Sequence, residues 1–163
     1  QQPVAILPDD TSATLHDRLA APGAALLGEA LDELRSNGWK RIPPDHTQAT
    51  YAPLLKKADG CIAWSKSARE IHHQVRGMNP WPGCFTFFRG KLLKIYLTEV
   101  LAAKRGAIPG KITSVGDDGI EIATGNGALL IQELQLEGKK KMPAGDFIKG
   151  QGIKAGEAFT MQR

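Results

Sequence analysis

From Cys84 onward the apolar residues recur with a period of two, in short runs cut by turn-forming residues. Phe85–Phe88, Leu92–Leu97, Ile112–Val115, Ile120–Thr124 and Ala128–Leu136 are each predicted to be a strand, since alternation sends successive side chains to opposite faces of a sheet. Arg89-Gly90, Pro109-Gly110, Asp117-Asp118-Gly119 and Asn126-Gly127 separate them. The last two are strong hairpin signals, because Asp, Asn and Gly tolerate the positive φ of tight primed turns. Five short strands this close together predict a small closed Greek-key barrel, an architecture that commonly binds oligonucleotides. A helical turn is expected from Pro143 to Phe147 and Ile148, and residues 151–163 carry no pattern, so a partly disordered tail is expected.

The first half reads differently. Pro3-Val4-Ala5-Ile6-Leu7 could form one strand but has no partner in sequence. Asp10-Thr11-Ser12 predicts a helix start, with Leu15 and Leu19 on one face. Pro22 suits the first turn of a second helix, followed by Leu26, Leu27, Ala30, Leu31 and Leu34 at helical spacing and by an Asn37-Gly38 stop. Nothing nearby in sequence covers this apolar stripe, as at the trailing edge of a larger domain. The first residue is Gln1 rather than Met, so the chain is expected to be a piece of a longer protein. Residues 39–60 carry Pro43-Pro44, Pro53, Lys56-Lys57 and Asp59-Gly60 and read as a linker. Ser67-Ala68-Arg69-Glu70 is a capping box opening a helix with Ile71 and Val75 inward and Gly77 at its end. Asn79-Pro80-Trp81-Pro82-Gly83 then breaks the pattern, with Trp81 expected as a core plug.

Charge is unevenly spread. Residues 1–80 hold nine basic and nine acidic side chains, whereas residues 81–163 hold twelve against eight, the whole +4 excess. That asymmetry suits an anionic partner such as nucleic acid. No run approaches the roughly 20 apolar residues of a membrane helix, and no signal segment opens the chain, so a cytoplasmic protein is expected. Cys61 and Cys84 read as reduced thiols. His16, His46, His72 and His73 lack metal-ligand spacing, Gly150-Gln151-Gly152 with Gly156 lacks the context of a phosphate loop, and Ser65 and Ser67 lack the setting of a nucleophile. Lys139-Lys140-Lys141 is the densest charge run. Three adjacent lysines repel one another, so the run is either a solvated turn or a phosphate contact. Arg89, Lys91, Lys94, Lys104, Arg105 and Lys111 would extend it into a stripe if several share one face.

Longer stretches form a collinear series: Pro8-Asp9-Asp10-Thr11, Leu15-His16-Asp17-Arg18-Leu19, Thr50-Tyr51-Ala52-Pro53, Ile62-Ala63-Trp64-Ser65 and Arg76 through Gly83. Pro109-Gly110, Thr124-Gly125-Asn126-Gly127, Leu134-Gln135, Gly138-Lys139-Lys140-Lys141-Met142 and Asp146-Phe147 continue it. Over roughly residues 3–150 the series resembles the later part of the methionyl-tRNA formyltransferase family. Lys141 and Pro143 stand where the motif varies, and residues 151–163 match nothing in it.

The resemblance implies an α+β fragment: the helical tail of a Rossmann-like formyltransferase domain, then a small five-stranded OB-like β-barrel with flanking helices. The implied boundaries are 1–38 for the end of the catalytic domain, 39–60 for the linker, 61–150 for the C-terminal OB-like tRNA-binding domain and 151–163 for a tail. In that family the N-terminal domain binds 10-formyltetrahydrofolate, carries catalytic Asn, His and Asp, and formylates the amino group of methionine on initiator tRNA. Neither that trio nor the folate motif lies in these residues, so no catalytic, cofactor or metal residue is expected and the chain alone should be inactive. The implied partners are initiator methionyl-tRNA and the N-terminal catalytic domain, with no membrane and no metal. tRNA binding falls on Lys57, Lys139, Lys140 and Lys141, with Lys94 and Arg76 added for their charge and placement. Two alternatives stay open: the C-terminal domain of a related sugar-nucleotide formyltransferase, or a free-standing nucleic-acid-binding OB-like module.

Overall fold

The computed structural model describes residues 1–36, 38, 41–102 and 107–162. It divides into two compact units, Gln1–Leu55 and Lys56–Arg163.

The first unit is organised by one helix, α1 (Ser12–Arg35). Thr11 caps it, accepting from the Thr14 amide while the Thr14 hydroxyl accepts from the Thr11 amide. The two helices expected on either side of Pro22 are therefore a single one, with the proline inside it. The reason is phase. Leu15, Arg18, Pro22, Leu26 and Ala30 are half-buried at steps of three and four, so one stripe runs through the proline without a break. Residues 3–7 form no strand. Their polar groups go to Asp10 and Arg18 instead: the Leu7 amide donates to Asp10 at 2.7 Å, and Arg18 pairs with Asp10 and donates to the Ala5 carbonyl at 3.1 Å. The Leu7 amide, followed by Arg18, holds the Asp10 carboxyl below the usual carboxylate range despite the opposing effect of burial. Asn37 lies outside the described residues, and only a 3₁₀ turn at His46–Gln48 interrupts the irregular stretch 41–55.

The second unit packs two helices on a sheet. A 3₁₀ turn (Lys57–Gly60) leads into α2 (Ala68–Gly77), opened by Ser67 and Glu70 in the expected capping box. The strands are β1 (Cys84–Phe88), β2 (Lys91–Leu101), β3 (Ile112–Gly116), β4 (Gly119–Ala123), β5 (Ala128–Leu136) and β6 (Met142–Pro143), followed by α3 (Ala144–Gln151). All pairings between them are antiparallel, in the order β1-β2-β5-β4-β3, with β6 also on β5. At β1–β2, Phe88 pairs with Lys91 across Arg89 and Gly90, both at positive φ, which is the backbone of a tight hairpin.

The closed five-stranded barrel is corrected to an open six-stranded sheet. One edge of β5 is shared, pairing β4 as far as Ile131 and then β6 from Glu133. The end strands β1 and β3 do not pair with each other. Residues 156–160 bind both: Gly156 and Glu157 exchange hydrogen bonds with Ile112, Phe159 donates to Gly110, and Thr160 exchanges two with Phe87. The stretch without sequence pattern thus covers two sheet edges, and it buries Ile153 and Phe159 in the core.

That core gathers Ile62, Trp64, Ile71, Leu93, Ile122, Leu129, Leu134 and Phe147 under α2 and α3. Trp81, expected as a core plug, is 61% exposed, and the buried tryptophan is Trp64, at 4%. Flanking prolines fix the backbone of a loop but do not decide which way it faces. Trp81→Ala is accordingly expected to change stability by about 1 kcal/mol or less, a melting-temperature shift that calorimetry will resolve.

Candidate nucleic-acid interface

The lysine run sits at the far end of the longest strand pairing. β2 and β5 run antiparallel so that Lys94 lies opposite Gln135, and Leu93 opposite Leu136. Before the register shift between Ile95 and Thr98, the odd-numbered residues of β2 face the core and Lys94 and Tyr96 face outward. Past Leu136 the chain turns through Gly138 at φ +76 and folds back as β6, pairing Leu134 with Met142. Lys139, Lys140 and Lys141 therefore stand in a short connection between two paired strands.

Three anchors hold that connection. Glu137 donates its amide to the Leu92 carbonyl at 2.8 Å and accepts the Leu92 amide on its carboxylate at 3.1 Å. Gln135 donates from Nε2 to the Lys139 carbonyl at 2.8 Å, and its Oε1 accepts the Tyr96 hydroxyl at 2.7 Å. Lys141 pairs with Glu133, and its Nζ lies 5.1 Å from the centre of the Tyr96 ring. Among the described residues, no ion pair holds Lys139 or Lys140, and both are exposed. A groove of about 220 Å³ beside them is lined by Leu92, Lys94, Gln135, Leu136, Glu137 and Gly138. The geometry collects Lys94, Lys139, Lys140 and Lys141 at one place. Two are exposed and unpaired in the loop, and one is bound to a carboxylate.

Lys57 and Arg76 belong to another part of the unit. Lys57 is exposed in the 3₁₀ turn, and Arg76 is half-buried in the last turn of α2. Gln74 joins these elements, donating from Nε2 to the Asp59 carbonyl at 2.8 Å. Of the wider basic set, Arg89 is taken up by the C-terminal segment: it grips Glu157 through two N–H groups and donates to the Gln151 carbonyl, each at 2.9 Å. Lys91 and Lys111 are exposed. Lys104 and Arg105 lie outside the described residues.

Sequence reasoning missed Tyr96, Gln135 and Glu133. The available signal was weak: Glu133 and Gln135 share one face of β5 at a spacing of two, but Tyr96 joins them only through register.

The two thiols and His72 are accounted for by burial and a hydrogen bond. Burial pushes the Cys84 thiol up to about 12 and also raises Cys61, which leaves both thiols protonated and poorly nucleophilic at neutral pH. His72 hydrogen-bonds Thr98 through Nδ1 at 3.0 Å. Among the described residues, no group of three or more His, Cys, Asp or Glu could hold a metal ion. No helix among the described residues is long and apolar enough to cross a membrane. A larger groove, about 500 Å³, is rimmed by Glu99, Asp118 and Glu121, whose charge disfavours phosphate.

Comparison with known proteins gives this geometry a setting. Residues 54–152 match the family described as formyl transferase, C-terminal domain. The chain belongs to that family. It is 48% identical over 148 residues to a methionyl-tRNA formyltransferase of Citrifermentans bemidjiense, which covers 91% of this chain and 46% of the relative. It is 43% identical over 157 residues to the methionyl-tRNA formyltransferase of Acetivibrio thermocellus, covering 96% and 50%. The chain thus spans about half the length of the curated relatives it matches. Among solved structures, a variant of HypX from Aquifex aeolicus matches with a TM-score of 0.61 at 18% identity, over 90% of this chain and 28% of that one. At that identity the likeness is one of fold.

Proposed function

We propose that this chain is the C-terminal portion of a methionyl-tRNA formyltransferase and that it holds the initiator tRNA while the catalytic domain, its partner in the same protein, transfers the formyl group. In this reading residues 1–38 end the catalytic domain, 39–60 carry the link and 61–150 bind tRNA, while 151–163 pack on the sheet edges of the second unit. The observation that carries the reading is the pair Lys139 and Lys140, exposed and unpaired on an anchored loop beside Lys94. Lysine ammonium groups attract phosphate oxygens without reading bases, so such a surface supplies grip rather than selection. Lys57, on the 3₁₀ turn, and Arg76, in the last turn of α2, are further basic side chains assigned to this role, and Lys141 contributes through its hold on Glu133.

The formyl donor would be 10-formyltetrahydrofolate, which the catalytic domain would bind. The larger groove of this chain does not fit it, with three carboxylates on its rim and no aromatic wall for a pterin. The chemical step, attack of the methionyl amine on the formyl carbon, lies outside these residues. What they supply is position: tethering the tRNA body raises the effective concentration of its acceptor end at the reacting centre.

Replacing Lys139 and Lys140 together by alanine tests this. The log–log slope of tRNA affinity against salt is expected to fall by about 2, one phosphate contact per lysine. Filter binding or anisotropy over a salt series reads it. An unchanged slope would make the loop a solvated turn.

A further inference from the structure

Gln135 makes two hydrogen bonds, and the chemistry of its partners fixes how it stands. The Lys139 carbonyl can only accept, so the amide must present Nε2 to it, at 2.8 Å. That leaves Oε1 for the Tyr96 hydroxyl, which donates at 2.7 Å. The Lys139 amide meanwhile donates to the Leu136 carbonyl at 2.9 Å. The peptide groups on both sides of Lys139 are therefore tied, one to the strand that precedes it and one to a side chain of that same strand. One residue beyond Lys140, Lys141 is bound to Glu133 and lies over the ring whose hydroxyl holds Gln135. A run of three like charges tends to splay. Here its first member is held by the backbone and its third by a carboxylate, which leaves two ammonium groups facing solvent on a fixed stem.

We infer that Gln135, backed by Tyr96, is a positioning residue that preorganises the Lys139–Lys140 pair for the phosphates of RNA. The inference rests on the reading of that pair as a phosphate contact. Gln135 itself touches no phosphate. It acts by removing the ordering cost that a free loop pays on binding. Lys141 belongs to the same device and is not one of the gripping groups, because its charge is already met by Glu133.

The test is a double-mutant cycle in this chain, read by anisotropy with initiator tRNA and accompanied by thermal melts. Gln135→Leu removes both hydrogen bonds while keeping bulk. It is expected to weaken binding about three- to tenfold and to lower the salt slope, with the melting temperature little changed. Added to Lys139→Ala/Lys140→Ala, it is expected to weaken binding no further, because there is nothing left to position. Tyr96→Phe keeps the ring under Lys141 and removes only the hydroxyl. It is expected to weaken binding about twofold, and it decides the matter where Gln135→Leu fails to fold.

Wild-type affinity and slope in the Gln135→Leu and Tyr96→Phe chains would overturn the inference. So would an equal loss from Gln135→Leu in the double-lysine background, which would mean that Gln135 acts independently of those lysines. Loss of the effect of the lysine pair itself would instead overturn the functional reading, and this inference with it.

Discussion

Trp64→Ala is expected to cost the C-terminal unit about 3–5 kcal/mol, the range for emptying the site of a large buried ring. Trp64 fills the centre of the core at 4% exposure and meets Phe159 at a ring-centre distance of 6.1 Å. Its indole N–H donates to the buried Thr86 hydroxyl at 3.1 Å, and that hydroxyl donates to the Thr160 carbonyl at 2.8 Å. Truncation therefore opens a cavity and also strips a partner from a buried hydroxyl. The melting temperature of a unit this size should fall by well over 10 °C at about 4–8 °C per kcal/mol. A melt within a degree of the unmodified chain would mean that the core closes over the gap, and would remove Trp64 as its keystone.

Gly125→Ala is the second large effect, and its cause is close approach rather than flexibility. A Cβ at Gly125 would stand 1.8 Å from the Ser65 carbonyl oxygen and 2.6 Å from its carbon. The Gly125 amide donates to the carbonyls of Trp64 and Lys66, each at 2.9 Å, so this contact fastens the segment before α2 to the β4–β5 turn. Backbone must move to admit a methyl group there. A loss of about 3 kcal/mol is expected, at the upper end for overpacking. Gly150→Ala is the control: its Cβ would meet nothing within 4 Å, and it lies inside α3, where alanine favours the helix. Chemical denaturation of both variants reads the contrast. Equal stabilities would show that the turn relaxes freely.

Local signals carried much of the fold. The five longer strands, the capping box at Ser67 and Glu70, and the inward Ile71 and Val75 follow from period, side-chain reach and turn chemistry, all short-range properties. The rest depends on what meets in space. Pro22 looks like a helix start until the stripe on both sides is seen to share one phase. Two residues of β6, one of them proline, have no period to display. Phe159 and Ile153 are isolated apolar residues in a polar stretch, and only the open edges of β1 and β3 give that stretch its place. Trp81 shows that hydrophobicity and rigidity together do not determine burial.

The candidate interface divides the same way. Three consecutive lysines are plain in the sequence, and their charge excess suggests an anionic partner. Which of them are available is not written locally. Glu133, six residues before the run begins, claims Lys141, and Tyr96, on another strand, secures the glutamine that ties Lys139. Arg89 is equally basic, yet Glu157 claims it across 68 positions.

The most direct measurement is an anisotropy titration of this chain against initiator tRNA between about 50 and about 200 mM salt, with heparin as competitor. Binding that weakens steeply with salt, and that prefers tRNA to heparin at equal charge, is the result predicted for a surface built to hold a folded RNA. No binding at the lowest salt, or equal displacement by heparin, would contradict a tRNA-holding role for the lysine loop.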